Sequence, residues 1–122
     1  MNRFLPHIFL VTALVCNAAA NVIIKHAMTK GTPPPVGAPL MTKLLAVLSP
    51  LFVLGVTLFG LNLLCYSIAL RTFRISVAYP IMVSGGYCLI LIAGWFLFHE
   101  KLNLVQYSGI ALILSGIWLV VR

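Results

Sequence analysis

Acidic side chains are all but missing: Glu100 is the only one among 122 residues, against eight lysines and arginines. A carboxylate-based proton relay within the membrane therefore cannot be built from this chain alone, because no acid falls inside an apolar stretch. Charge of either sign is scarce, at 7% of residues, where soluble domains carry about 25%. A water-soluble fold of this size could not hide a hydrophobic fraction of 62%. The three cysteines, Cys16, Cys65 and Cys88, are odd in number and match no metal spacing, so they read as small apolar packing residues. No nucleophile–base–orienter set, phosphate-cradling motif or zinc spacing occurs, which argues against an enzyme, a cofactor or a metal. The formal charge of +7 would suggest nucleic acid in a soluble protein. No basic run with interleaved aromatics supports that, and the cations flank apolar stretches, where they meet anionic headgroups.

What the sequence does have is four long uncharged runs: between Arg3 and Lys25, Lys43 and Arg71, Arg74 and Glu100, and Lys101 and Arg122. A membrane span needs roughly 20 apolar residues at about 1.5 Å each. The expected fold is therefore all-α: one four-helix transmembrane domain over 1–122, with helices at about 4–28, 49–70, 76–98 and 104–121. Pro6 is tolerated in a first turn. Gly31, Pro33, Pro34, Pro35, Gly37 and Pro39 forbid helix across the first loop, and Ser49-Pro50 reads as an N-cap and first helical residue. Leu44 to Leu48 is expected to add at most a turn at the interface. Asn103 and Gln106 form a capping-box variant before the last span. Arg3, an apolar run and Ala18-Ala19-Ala20 imitate a cleavable signal peptide, but the polar residues there suit a mature helix better.

Lysine and arginine give no orientation. With four spans, Arg3, Arg71, Arg74 and Arg122 fall on one side and Lys25, Lys30, Lys43 and Lys101 on the other. The tie admits insertion both ways with antiparallel pairing of two copies, or one orientation fixed by a partner.

Polar groups inside the spans are the candidate functional residues, since each is costly in hydrocarbon. Asn17, Asn21 and Lys25 recur every four residues and share one slowly drifting helical face. They read either as a polar stripe lining a cavity or as interhelical hydrogen bonding with a snorkelling lysine. Asn62 lies near the middle of the second span. Tyr79, Pro80, Ser84, Gly85 and Gly86 punctuate the third, where proline and paired glycines are weak points suited either to a transport pathway or to close packing. In the fourth, Gly109 and Gly116 share a face with Leu112 between them, a packing signal. Glu100 is expected to be structural, favouring the dipole at the start of the fourth span, with Asn103 as its cap.

Several of these residues form a familiar pattern. Ser76-Val77-Ala78-Tyr79-Pro80, Phe98-His99-Glu100, Gln106, Gly109 and Gly116 together resemble the C-terminal half-repeat of the drug/metabolite transporter superfamily, of the EamA type. The resemblance covers about the last fifty residues well. Ala78-Tyr79-Pro80 with His99-Glu100 looks closest to the subunits of the aminoarabinose-phosphoundecaprenol flippase, which also lack an acid in the first helix. Gly109, Leu112, Ile113, Gly116 and Ile117 resemble the dimerisation pattern of small multidrug resistance transporters. That family depends on a glutamate in its first helix and a tryptophan in its third; the matching positions here are Asn17 and Met82. Both departures argue against drug/proton antiport.

The resemblance implies a multi-pass protein of the bacterial inner membrane that works as a homodimer or as a heterodimer with a related four-helix subunit. The leading expectation is a flippase for a lipid-linked sugar of the polyprenyl-phosphate type. Asn17, Asn21, Lys25, Asn62, Tyr79 and Ser84 would meet the headgroup while the tail stays in membrane lipid. The alternatives are an exporter of small cationic or polar solutes, and a non-transporting scaffold.

Overall fold

The computed structural model describes Asn2 and residues 4–122. Arg3, which enters the charge tie, lies outside the described residues. Local chemistry sets each helix boundary. Helix α1 (Leu5–Lys30) carries Pro6 in its first turn and ends where the Gly31 amide donates to the Ala27 carbonyl. The proline-rich stretch that follows is irregular, with Gly37 turning at φ 88°. Helix α3 (Pro50–Ala69) starts on Ser49, whose hydroxyl accepts from the Phe52 amide at 3.2 Å. Helix α4 (Ile75–Phe98) closes on His99 in the left-handed region at φ 52°. At the start of helix α5 (Leu104–Val121) the Gln106 amide donates to Asn103 Oδ1 and the Asn103 amide to Gln106 Oε1, both at 2.8 Å.

Four of these helices, α1, α3, α4 and α5, are long and apolar enough to cross a membrane. The segment before Pro50 holds more than the single turn expected there. It forms helix α2 (Leu40–Val47), eight residues long, with none of them buried. Pro39 at its N-cap and Ser49-Pro50 just beyond its end confine it to that length.

Helix α1 is the hub. It packs chiefly on α3 and then on α4, while the main neighbour of α5 is α4. Small residues make the contacts. Leu10 and Ala13 of α1 meet Cys65, Tyr66 and Ala69 of α3 and Ala78 and Met82 of α4 in one buried cluster. A side chain at Gly55 would place its Cβ 2.5 Å from Ile24 Cγ1 and 3.4 Å from the Ala20 carbonyl oxygen, so α1 and α3 approach to backbone distance there. No residue of α5 is buried.

The expected weak points of the third span do not break it. Helix α4 runs without interruption through Pro80, Gly85 and Gly86. Pro80 removes one donor near the N-terminal end of the helix, where the loss is easiest to absorb. The glycines act as contact points: an added Cβ would lie 2.1 Å from Leu14 Cδ1 at Gly85 and 3.0 Å from Asn17 Nδ2 at Gly86. In this structure they serve close packing between α1 and α4.

Candidate functional site: a groove beside an ion pair, and an uncovered helix

The polar face of α1 turns towards α4. Asn17 is half-buried, with its amide against Gly86. One turn on, Asn21 Nδ2 donates to the Asn17 carbonyl oxygen at 2.8 Å. A further turn brings Lys25, whose ammonium forms an ion pair with the Glu100 carboxylate. The same ammonium lies 4.6 Å from the centre of the Phe98 ring. The spacing of four residues along α1 thus becomes a ladder that ends at the membrane edge.

Glu100 departs from the role expected of it. It lies outside the first turn of α5, whose cap is supplied by Asn103 with Gln106. The left-handed turn at His99 carries the chain back over α4, and the Glu100 amide donates to the Gly94 carbonyl at 3.1 Å. Its Oε2 lies 2.9 Å from where a Cβ on Gly94 would sit, so the carboxylate rests against the open face of that glycine. Asn21, Val22, Lys25, Ile90, Gly94, Phe98 and Glu100 line a groove of about 220 Å³.

The other candidate residues lie apart from this groove. Asn62 is buried, 5% exposed, and its Oδ1 has no hydrogen-bond partner; the Tyr66 hydroxyl one turn away is in the same condition. Tyr79 is exposed, with its ring 6.5 Å from that of Tyr66. The Ser84 hydroxyl donates to the Ile81 carbonyl of its own helix at 3.2 Å. Within one chain the structure therefore joins Asn17, Asn21 and Lys25 to Glu100, and leaves Asn62, Tyr79 and Ser84 outside that set. Sequence reasoning missed Glu100, Gly94 and Phe98 as groove residues; the available signal was that a lone acid must pair with some cation nearby.

Gly109 and Gly116 on α5 meet nothing within 4 Å, and Leu112 is exposed. The apolar, small-residue face of α5 is thus uncovered in the single chain.

Comparison with known proteins resolves the choice of family. The profile of the Small Multidrug Resistance protein family matches residues 36–113. The chain belongs to the small multidrug resistance family. The spermidine export protein MdtI of Yersinia pestis (strain Pestoides F) is 32% identical over 114 residues, covering 93% of this chain and 90% of that protein. MdtI of Yersinia pseudotuberculosis (strain YPIII) matches to the same extent. An uncharacterized protein, y4nH, of Sinorhizobium fredii is 40% identical over 75 residues, which are 62% of this chain and 64% of that one. No solved structure matches.

These findings correct the ranking drawn from the residues. The protein is a small multi-pass transporter of the bacterial inner membrane, in a family whose four-helix members act as dimers and are not enzymes. Closeness to the EamA-type flippase subunits is not supported, nor is a lipid-linked sugar as cargo. The exporter of small cationic or polar solutes, ranked second on the sequence, fits better.

Proposed function

We propose that this chain is one half of a dimeric exporter of small organic cations, with polyamines as the cargo class. The observation that carries the reading is the groove beside α1, which presents a carboxylate, an amide side chain and an aromatic face within one small space. Those are the groups that hold an alkylammonium: charge-assisted hydrogen bonds and a cation–π contact. The likeness to spermidine exporters agrees with it. A headgroup phosphate would suit the groove less, since the lysine there already has a carboxylate on it.

The dimer follows from what one chain leaves undone. A pocket for a whole small molecule encloses about 300–1,000 Å³. The groove of about 220 Å³ takes one arm of a polyamine, and a second chain must supply the remaining wall. The face of α5 bearing Gly109, Leu112 and Gly116 is where that chain docks, because small residues let helices approach closely and nothing in the single chain occupies it. The partner is a second copy or a related four-helix subunit.

The test is transport. Inside-out vesicles from cells expressing this chain, alone and with any four-helix subunit encoded beside it, should accumulate labelled spermidine. Failure of both preparations to move any polyamine, with the protein folded in the membrane, would reject the reading.

A further inference from the structure

We infer that Lys25 is a built-in competitor for the cation site: its side chain occupies the place that a substrate ammonium takes, and Glu100 is the group over which the two compete. The inference rests on the cation-exporter reading and assigns its binding site to particular atoms.

The argument starts from what holds the Lys25 ammonium. It pairs with Glu100, the chain's only acidic side chain, and lies over the Phe98 ring. The backbone that carries the carboxylate is set by the left-handed residue His99 and by the Glu100 amide donating to the Gly94 carbonyl. This cradle receives a primary ammonium at the end of a four-carbon chain. Lysine beyond its Cα is chemically a butylammonium, the same unit that makes up one arm of a polyamine. The structure thus shows the site filled by a covalently tethered analogue of the cargo.

Two features make the occupant exchangeable. Lys25 and Glu100 are nearly half exposed, at 44% and 46%. An ion pair so placed is worth about 0–1 kcal/mol, equivalent to no more than about fivefold in an equilibrium constant. A free ammonium that brings further contacts can displace it. Lys25 also has somewhere to go, since a lysine at the end of a span snorkels to the headgroups. Exchange then needs no large rearrangement of helices: the arriving ammonium takes the carboxylate and ring, and Lys25 swings out to the lipid phosphates.

A merely structural latch between α1 and the α4–α5 turn makes the opposite prediction. Removing Lys25 would then weaken the fold without improving binding. The experiment uses the full-length protein in detergent micelles, with spermidine and n-butylamine as probes in isothermal titration, and circular dichroism and gel filtration to check folding. Lys25→Met should bind both probes about two- to fivefold more tightly, because the tethered rival is gone. Glu100→Gln should bind spermidine about two- to fivefold more weakly, since a charge-assisted contact is lost. Glu100→Asp, which keeps the charge, should recover part of that loss. Phe98→Leu tests the ring independently and should weaken butylamine binding about two- to fivefold. If Lys25→Met proves unstable, the Glu100 and Phe98 variants still decide. Unchanged or weaker binding by folded Lys25→Met, or spermidine binding by Glu100→Gln equal to the natural protein, overturns the inference. Should polyamine transport persist in Glu100→Gln vesicles, this site fails while the exporter reading stands; should the natural protein transport no polyamine, the exporter reading itself fails.

Discussion

Three glycines separate packing from propensity. Gly55 of α3, Gly85 of α4 and Gly60 of α3 all lie within spans, yet their surroundings differ. An added methyl at Gly60 meets nothing within 4 Å. At Gly85 it would overlap Leu14 Cδ1, with a gap of 2.1 Å. At Gly55 it would lie 2.5 Å from Ile24 Cγ1, with the Ala20 carbonyl oxygen at 3.4 Å. Distance alone ranks Gly85 as the tighter site, but rotamer freedom reverses the order. The Leu14 methyl moves by rotation about χ2. Ile24 Cγ1 moves only with χ1, which a β-branched residue in a helix holds in one strongly preferred well. Overpacking of this kind costs about 1–3 kcal/mol. Against it stands a gain of up to about 1 kcal/mol for alanine over glycine in a helix. Gly55→Ala should therefore lose about 1–2 kcal/mol, Gly85→Ala should fall near zero, and Gly60→Ala should be neutral or gain up to about 1 kcal/mol. The assay is reversible unfolding by sodium dodecyl sulfate in mixed micelles, followed by tryptophan fluorescence at a detergent excess that keeps the chain monomeric. Equal stability of Gly55→Ala and Gly60→Ala would refute the claim that α1 and α3 touch at backbone distance.

Gly109→Leu and Gly116→Leu should leave the monomer's circular dichroism intact while abolishing cross-linking of dimers, because nothing within one chain contacts either position. Asn62→Leu removes a buried oxygen that has no partner, so stability in detergent unfolding should hold or rise by about 1 kcal/mol; a loss of stability would make Asn62 a packing residue. Asn103→Ala deletes one arm of the capping box and should cost about 1 kcal/mol, read as earlier hydrogen exchange in the first turn of α5 than elsewhere. Single-cysteine reporters in the first loop and at the α3–α4 turn should each be labelled from both sides of the membrane if the lysine–arginine tie reflects dual insertion; labelling from one side only removes that idea.

What the sequence made legible was local. Ser49-Pro50 and Asn103 with Gln106 announce their helices because a cap needs only residues three apart, and the structure shows both caps bonded. The same short range explains why α2 was underestimated: Leu40 to Met41 carries no cap of its own, and eight residues give too little periodicity to read. The Lys25–Glu100 pair joins residues far apart in the chain, through a turn whose backward course depends on His99 adopting a left-handed conformation that the sequence does not signal. Gly85 and Gly86 carry two meanings in the sequence, and their packing role shows only once Leu14 and Asn17 are seen beside them. The family ranking went astray for a related reason. Tyr79-Pro80 and His99-Glu100 carry the resemblance to the EamA type, whereas the family profile that matches, over residues 36–113, is that of the Small Multidrug Resistance proteins. The missing acid at Asn17 argues against drug/proton antiport through that position, but it does not say where another partner for a cation lies.

A carboxylate at Glu100 and one at position 17 would not be equivalent. An acid at position 17 would sit deep in α1, where one site could serve both sides of the membrane in turn. Glu100 follows α4 and lies at the end where α1 finishes, so it belongs to one membrane edge only. Two copies packed parallel through α5 would set both carboxylates at the same edge, leaving the opposite edge with the arginines of the α3–α4 turn and none of the groups that attract a cation. Two copies packed antiparallel would put one Lys25–Glu100 groove at each edge, giving an ammonium a counter-charge where it enters and another where it leaves, with the amides of Asn17 and Asn21 from both copies between them. The even division of lysine and arginine between the two sides removes the usual electrostatic obstacle to that arrangement. A heterodimer reaches the same end by a different route, if its other subunit supplies an acid at the edge this chain leaves bare.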